Sequence, residues 1–379
     1  MSAEVSGAVC SWLSTGAEFF DAMVAAVDGA QRSVCLETYI YAAGQPGERV
    51  RDALVAAQRR GVRVRVLIDA LGSYWLPAEF WASLRSAGGE VRRFNPIALN
   101  RLGFRNHCKL LTCDDRVALV GGCNVAPEYG GDGVTHGWHD LGLRIEGPLA
   151  ARLSVAFDEM FSRAEFRHKR FIRWRRFRGR HPAADPEEQV LLSGPGHGRN
   201  PIQRALKRDL AEARSVQLMV AYFLPPWRLR RHLVRLARRG GRVDLILPGK
   251  SDVTVALLAA RSLYRRLLKG GVEIHEYQPQ ILHAKLFIID DVVFVGSANL
   301  DLRSLAINYE LMVRFRSAEL AAQARELFRD SLGRCRPVSL EEWRRGSSLW
   351  RRIQQRVAYF LLVRVDPYLA RRQWRALPD

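Results

Sequence analysis

The chain reads HCKLLTCD over residues 107–114 and HAKLFIID over residues 283–290. Both stretches have the pattern H-x-K-x4-D, and each is followed by a glycine and an asparagine, in GGCN at 121–124 and GSAN at 296–299. A single H-x-K would most simply be a pair of polar core residues. Two copies with the same followers, 176 residues apart, instead predict one active site assembled from both halves of the chain.

The spacing within each motif fits a β-strand. Alternate side chains of a strand face the same way, so the histidine and lysine share one face and Cys108 points to the other. The apolar residues after each lysine predict a buried strand, and the paired aspartates predict a turn. The strand resumes at 117–120 and at 292–295. Each copy is therefore predicted to be a β-hairpin that presents histidine, lysine and asparagine together.

These residue types suit phosphoryl transfer. A neutral imidazole attacks phosphorus, while ammonium and amide groups neutralise the non-bridging oxygens. A second imidazolium protonates the leaving alkoxide, and a histidine pKa of about 6.5 suits both tasks. This chemistry requires no metal and no cofactor, and we expect none. The candidate residues are His107, Lys109, Asn124, His283, Lys285 and Asn299.

The paired motifs resemble those of the phospholipase D superfamily. Within that superfamily, NLDLRSLAINYE at 299–310 is similar to the segment after the second motif in bacterial cardiolipin synthases. The chain resembles their short cardiolipin synthase B type. LETYIY at 36–41, GGCN at 121–124 and RIEGP at 144–148 are further matching stretches. The resemblance covers nearly the whole chain.

The resemblance implies a role for each motif residue. One histidine carries the phosphatidyl group as a phosphohistidine, and the other is the general acid and then the base. We assign these roles to His107 and His283, respectively. The residues implied to be catalytic are His107, Lys109, Asp114, His283, Lys285 and Asp290.

Supporting residues are implied in the same way. Asn124 and Asn299 hold phosphate oxygens together with the lysines. Asp140 and Glu310 match the family's carboxylates that orient each histidine, with a plain surface charge as the alternative for Asp140. The motif aspartates match residues that are structural more than chemical. The first copy has Gly122 where the second has a serine, so only the second copy could contact the phosphate through a hydroxyl group.

The two halves repeat one order of elements: helix, strand, helix, strand, helix, strand and hairpin. This order predicts an α/β protein of two tandem αβα layered domains. The resemblance implies that both domains are phospholipase D-like and are related by pseudo-two-fold symmetry. We place the first domain at 1–181, the second at 182–336 and a short basic, aromatic C-terminal segment at 337–379. The first boundary rests on prolines and a polar run near residues 181–186.

The charge of the chain bears on its partners. The net charge is +20, with 59 basic and 39 acidic residues, which favours a polyanionic partner. Arginines alternate with Trp and Phe at 163–181, and more arginines cluster at 228–242. We expect an anionic phospholipid membrane surface as partner, with nucleic acid disfavoured and the oligomeric state open. The family resemblance implies phosphatidylglycerol as the substrate. A solvated helix face with inward aromatics stays the alternative at 163–181, and core packing at 357–363.

Localisation follows from what the sequence lacks. No apolar run approaches the roughly 18 residues of a spanning helix, and the amino terminus shows no signal-peptide pattern. We therefore expect a peripheral protein on the cytoplasmic face of the cell membrane. The six cysteines show no paired or zinc-binding spacing, so we expect reduced, apolar side chains.

Three functions fit these patterns. The first is transfer of a phosphatidyl group between two phosphatidylglycerol molecules, which makes cardiolipin and releases glycerol. The alternative is a phospholipase D-type phosphodiesterase, either a lipid hydrolase or a nuclease, with water as the acceptor. A non-catalytic membrane or nucleic-acid binder is the third, and the intact residues of both motifs argue against it.

Overall fold

A computed structural model describes residues 1–97, 103–164, 187–195, 200–346 and 348–375, with side chains described up to residue 370. The described residues form two mixed eight-stranded sheets with helices packed on their faces. This arrangement confirms the predicted α/β class.

The first sheet comes from the amino-terminal half, in the order β1-β2-β8-β7-β6-β3-β4-β5. Its strands are β1 Ser2–Val5, β2 Ala8–Leu13, β3 Ser33–Thr38, β4 Arg63–Asp69, β5 Glu90–Phe94, β6 Leu110–Cys113, β7 Val117–Gly121 and β8 Gly142–Glu146. Strands β3, β4 and β5 are parallel to one another, and the other neighbouring pairs are antiparallel.

The second sheet repeats this pattern, in the order β16-β12-β11-β10-β13-β14-β15-β9. Its strands are β9 Glu188–Ser193, β10 Ser215–Val220, β11 Arg242–Pro248, β12 Glu273–Tyr277, β13 Lys285–Ile289, β14 Val292–Gly296, β15 Glu310–Arg316 and β16 Cys335–Pro337. Here β10, β11 and β12 are the parallel strands. Seven strands, hairpin included, share one order, which is β2-β8-β7-β6-β3-β4-β5 in the first sheet and β9-β15-β14-β13-β10-β11-β12 in the second, as the repeat predicts. Strands β1 and β16 lie outside this shared order.

The helices form the outer layers and a central layer. The outer helices of the first half are α1 Gly16–Gly29, α2 Gln45–Arg59 and α3 Ala82–Ser86, and those of the second are α5 Pro201–Asp209, α6 Trp227–Arg238 and α7 Thr254–Leu268. The other helices are α4 Pro148–Ser162, α8 Leu302–Ala306, α9 Ala318–Leu332, α10 Leu340–Gly346, α11 Leu349–Phe360 and α12 Asp366–Arg375, with a π-helical turn at Leu361–Val365 before α12.

The largest apolar core lies between the two sheets. It combines residues of both sheets with the buried faces of α4 and α9, for example Val120 with Phe157, and Val293 with Phe328. Alternate residues of the hairpin strands point to the outer cores, as Leu119 does in the first half. Since both faces of these strands are buried, their sequences are almost continuously apolar.

The structure corrects one expectation about the motifs. The first motif histidine and lysine lie outside the sheet, because β6 begins at Leu110, and β13 begins only at Lys285. The segment that carries each histidine instead pairs with the opposite half. The strands that flank each hairpin, β2 and β8 in the first half and β9 and β15 in the second, were not predicted from the sequence pattern.

The motif aspartates form the hairpin turns, as predicted. Asp114 and Asp290 have positive φ angles of 56° and 48°. The Asp114 carboxylate accepts the backbone N–H groups of Gln31, Arg32 and Ser33 at 2.7 to 2.8 Å. Asp290 accepts from Ser215 N at 2.8 Å in the same way. Each turn is thereby fixed to the start of the sheet's first parallel strand.

The C-terminal segment packs partly on the second half. Ala358 of α11 is buried in the second outer core, while Phe360 is exposed, so 357–363 is only partly core. None of the described helices is long and apolar enough to cross a membrane. The predicted boundary at 181–182 and nearly all of the basic, aromatic stretch 163–181 lie outside the described residues.

Five of the six cysteines are buried and Cys335 is partly buried, all as free thiols. Burial raises the pKa of the Cys10 thiol to about 12, so it is protonated at neutral pH. This environment fits small apolar side chains.

A buried ion pair stabilises the second half. Arg314 Nε and Nη2 donate to the two carboxylate oxygens of Asp209 at 2.7 and 2.9 Å, and both side chains are almost fully buried. We expect Asp209→Ala to lower the free energy of unfolding by about 3–5 kcal/mol, because it leaves a buried guanidinium without its carboxylate. Urea unfolding measures this change.

The control is Asp21→Ala, which removes an ion pair to Arg49 in which both side chains are largely exposed. Its cost is expected to be at most about 1 kcal/mol. Equal costs for the two variants would contradict the role given to the buried pair.

Candidate active site

The two motif segments cross from one half to the other. Tyr309 N donates to Arg105 O at 2.9 Å, and His107 N donates to Tyr309 O at 2.9 Å. The second motif repeats this geometry, since His139 N donates to Ile281 O and His283 N donates to His139 O, both at 2.8 Å. Each histidine is therefore held by the backbone of the half that does not contain it.

The carboxylates also come from the opposite half. His107 Nδ1 lies 3.0 Å from Glu310 Oε2, and His283 Nδ1 lies 2.6 Å from Asp140 Oδ2. Both carboxylates are buried. A carboxylate that accepts from Nδ1–H fixes the ring orientation and leaves the Nε2 lone pair available for chemistry.

Both motif lysines are buried beside the histidines. Lys109 Nζ donates to His107 O at 2.7 Å, and Lys285 Nζ donates to His283 O and lies 3.0 Å from His283 Nε2. Burial lowers the pKa of Lys109 to about 7, although Glu310 opposes this shift. Burial likewise lowers the pKa of Lys285. An anionic ligand would therefore stabilise the charged form of both amines.

The two asparagines are anchored alike. Asn124 Oδ1 accepts from Ile40 N at 3.1 Å, and Asn299 Oδ1 accepts from Tyr222 N at 3.2 Å. These bonds fix the amide oxygen to the end of the first parallel strand in each half. The amide nitrogen is then oriented by the fold, as a phosphate-binding group requires.

The surroundings of the carboxylates and of the histidines lower the pKa of each group. Burial alone would raise the pKa of Asp140, but Lys285 and His283 outweigh it and lower that pKa. The pKa of Glu310 is lowered in the same way, chiefly by His107. Burial, reinforced by Lys285, lowers the pKa of His283 to about 4, and burial also lowers the pKa of His107. Without ligand, the carboxylates are thus ionised and the imidazoles neutral near pH 7.

The family assignment rests on a direct match. The model described as "Cardiolipin synthase, PLD-like domain" matches residues 23–160 and 206–332. The chain belongs to this family. The predicted resemblance to the phospholipase D superfamily and its cardiolipin synthases is thereby confirmed.

Individual relatives agree with the family match. The major cardiolipin synthase ClsA of Bacillus subtilis is 31% identical over 92% of this chain and 74% of that protein. Cardiolipin synthase B of Escherichia coli is 34% identical over 80% of this chain and 77% of that protein. The crystal structure of phosphatidylserine synthase from Haemophilus influenzae shares the fold, with a TM-score of 0.76 over 95% of this chain and 94% of that chain, at 14% identity.

All of the predicted site residues except Asp114 and Asp290 lie together. Each motif histidine contacts a carboxylate of the other half, and Lys285 and Asp140 are close enough to Lys109 for their charges to affect its pKa, so the two motifs face one site. Asp114 and Asp290 lie at the opposite ends of their hairpins, where they bind backbone N–H groups.

The asymmetry between Gly122 and Ser297 also has a geometric cause. A Cβ atom at Gly122 would lie 2.2 Å from Asp140 Oδ1, so the carboxylate occupies that space. Ser297 Oγ instead donates to Glu310 Oε2.

Three aromatic residues complete the surroundings of the histidines. The Tyr39 ring centroid is 5.1 Å from that of His107, and Tyr129 and Trp138 lie 5.1 and 5.5 Å from His283. Tyr129 Oη accepts from Asn124 Nδ2 at 2.7 Å. Tyr39 falls in a stretch already matched to the family, whereas no sequence signal pointed to Tyr129 or Trp138.

A buried polar network lies behind the first motif. Asn106 Nδ2 donates to Glu37 Oε1 at 2.6 Å, and Asn106 N donates to Asp69 Oδ2 at 3.0 Å. Strand register places Glu37 opposite Leu110, as Met219 is placed opposite Leu286 in the second half. The polar Glu37 and Asn106 thus correspond to apolar Met219 and Leu282.

Metal-ligand residue types also meet away from the motifs. Side chains of Asp244, Glu273 and His275 lie close enough to share a cation, but Arg242 Nε is already 2.7 Å from the Asp244 carboxylate. None of the predicted site residues belongs to this group.

Glu37 gives a testable pH dependence. Burial raises the pKa of Glu37 from 4.5 to about 8, so the folded protein keeps a proton that the unfolded chain releases between these values. Stability is lost as pH rises through this window. We expect the free energy of unfolding of Glu37→Gln, relative to the unsubstituted protein, to increase from about pH 5 to about pH 8 in urea titrations.

The matched control is Glu79→Gln at an exposed carboxyl. Its free energy of unfolding, relative to that of the unsubstituted protein, should stay constant over the same pH range. A constant difference for Glu37→Gln as well would show that Glu37 is ionised in the folded state.

Proposed function

We propose that the protein synthesises cardiolipin by moving a phosphatidyl group from one phosphatidylglycerol to another and releasing glycerol. One observation carries the proposal: two histidine–carboxylate pairs, His107 with Glu310 and His283 with Asp140, each formed across the two halves. Paired histidines serve a two-step transfer, because one can hold the group while the other moves the proton.

In the first step, His107 Nε2 attacks the phosphorus of the donor lipid. A P–N bond forms, and the P–O bond to the headgroup glycerol breaks. His283 donates the proton that the glycerol oxygen takes up. Since His283 is neutral in the unliganded site, the phosphate anion must raise its pKa on binding so that the proton is present.

In the second step, a headgroup hydroxyl of the acceptor phosphatidylglycerol gives its proton to His283. Its oxygen forms the new P–O bond, the P–N bond breaks, and His107 returns to its starting state. Cardiolipin and glycerol are the products, and both histidines are restored.

The lysines and asparagines act on the phosphate oxygens. Lys109 and Lys285 are buried, and a bound phosphate stabilises their charged form, which then attracts the phosphate more strongly than it would in water. The backbone bonds to Asn124 and Asn299 hold the amides in place before substrate arrives. Such pre-organised groups stabilise charge that develops on the oxygens in the transition state.

Exposure supports His107 as the nucleophile. The His107 side chain is 13% exposed and that of His283 is 5% exposed. Lys285 and Tyr129 lie around His283 Nε2 at 3.0 and 3.4 Å. A bulky lipid phosphate reaches the more open ring more easily, whereas a proton donor is better enclosed.

The substrate also sets the working location that we propose. Phosphatidylglycerol resides in a bilayer, so the protein would act as a peripheral protein on an anionic membrane surface, at its cytoplasmic face. The net charge of +20 supports this placement, because anionic lipid attracts basic surfaces.

A lipid assay tests the reaction. Purified protein is incubated with vesicles of radiolabelled phosphatidylglycerol, and the lipids are separated by thin-layer chromatography. We expect labelled cardiolipin and an equal amount of glycerol. Phosphatidic acid as the main product would indicate hydrolysis, and DNA cleavage without lipid turnover would indicate a nuclease.

Histidine variants test the shared site. We expect His107→Ala and His283→Ala each to lower the transfer rate by about 10⁴-fold or more, because either loss stops the two-step reaction. The control His232→Ala lies on α6, outside the site, and should retain activity. Substantial turnover by either motif variant would remove the two-histidine mechanism.

A trapped intermediate tests the order of roles. The reaction is quenched during turnover, and peptides are analysed by mass spectrometry under alkaline conditions. The phosphatidyl adduct is expected on the His107 peptide. An adduct on the His283 peptide would reverse the assignment.

A further inference from the structure

The motifs lie at one edge of both sheets. Leu110 pairs with Glu37 and Lys285 pairs with Val220, so each motif lysine is level with the carboxyl end of the sheet's first parallel strand. The loops that follow the parallel strands therefore surround the site, as they do in other open α/β sheets.

These loops expose large apolar side chains. Trp75 is 89% exposed and Tyr74 is 55% exposed, in the loop after β4. Val253 and Val255 are exposed after β11, the corresponding strand of the second half. We define the rim as these residues with two others that follow parallel strands: Leu71, Tyr74, Trp75, Trp227, Val253 and Val255.

Hydrogen bonds fix the first rim loop to the site. Asp69 Oδ1 accepts from Leu71 N at 2.9 Å, and its Oδ2 accepts from Asn106 N, next to the first motif histidine. Ser73 Oγ accepts from Tyr41 N at 2.9 Å. The loop therefore cannot turn Trp75 toward the core without breaking buried polar contacts.

The second rim loop is fixed in an equivalent way. Tyr222 Oη donates to the Asp252 carboxylate at 2.8 Å, and Tyr222 N donates to Asn299 Oδ1. Val253 follows directly. The hydrogen bonds that hold both loops against the site therefore also keep their apolar side chains exposed.

The C-terminal segment reaches the same edge. Arg303, which follows the second motif, binds both Asp366 oxygens at 2.6 and 2.7 Å. Arg230 Nη2 donates to Tyr359 Oη at 3.0 Å, near the start of α6. Tyr368 and Leu369 of α12 are exposed beyond this point. More apolar surface therefore adjoins the rim.

We propose that the rim is the surface by which the protein lies on an anionic phospholipid bilayer, with Trp75 and Trp227 at the depth of the headgroups. Grouped exposed apolar residues mark interaction surfaces, and tryptophan favours the membrane interface. Arg228 lies 5.6 Å above the Trp227 ring, and the net charge of +20 complements anionic lipid. The proposal deepens the proposed function, since it places the bilayer against the opening through which a lipid substrate would enter.

Vesicle binding tests the rim directly. Binding to phosphatidylglycerol vesicles is measured by co-sedimentation, in the His107→Ala protein so that lipid is not consumed. Adding Trp75→Ala and Trp227→Ala together is expected to lower the partition coefficient onto vesicles at least about tenfold. The two substitutions remove apolar side chains that would be buried in the bilayer. Quenching by brominated lipid should also fall when Trp75→Phe replaces the indole.

Trp350→Ala is the matched control. Trp350 is 66% exposed but lies in the first turn of α11, the end far from the Arg230 and Arg303 contacts. Its partition coefficient onto vesicles should stay within about twofold of that of the His107→Ala protein, because this side chain is outside the rim. Unchanged binding of the double rim variant, or an equal loss in Trp350→Ala, would overturn the proposal.

A second copy of the chain is the competing occupant. Analytical ultracentrifugation without lipid would then show a dimer that the double rim variant abolishes, with vesicle binding unchanged, and this result would overturn the proposal. The two proposals fail separately. Rim-dependent binding without cardiolipin synthesis would reject only the function, and synthesis with rim-independent binding would reject only the surface.

Discussion

The active site depends on an exchange of carboxylates between the two halves. Glu310 orients His107 and Asp140 orients His283, so neither half contains a complete histidine–carboxylate pair. The exchange is held by backbone pairing at Tyr309 and His139 and by the core shared between the sheets. A shift of one residue in this pairing would point each carboxylate away from its histidine, because side chains alternate along an extended chain.

Much of the fold could be predicted because its signals are local. The hairpins follow from apolar runs that end at paired aspartates, and the layered repeat follows from alternating helix and strand patterns. The flanking strands β8 and β15 were missed because each follows its hairpin after an irregular or helical stretch and has a second partner, β2 or β9, that is more than 100 residues away in sequence. The same non-locality explains the motif segments, whose extended backbone pairs with the opposite half instead of continuing the strand.

The candidate site could be predicted less completely. The histidines, lysines and asparagines stand out as a repeated pattern. Asp140 and Glu310 came from family resemblance, and no local period indicates that each turns to the other half's histidine. Tyr129 and Trp138 lie on an irregular stretch between β7 and β8, where sequence periodicity carries no information about direction.

Glu37 and Asn106 form a hydrogen bond behind one histidine, whereas the equivalent positions of the other half hold the apolar residues Met219 and Leu282, and this difference has a further consequence. In a symmetric dimer of single halves, every substitution would occur twice, and a change that favours one role would disturb the other. A covalently joined pair is free of this constraint. The residues around each histidine can change independently, so two chemically identical rings can evolve different roles.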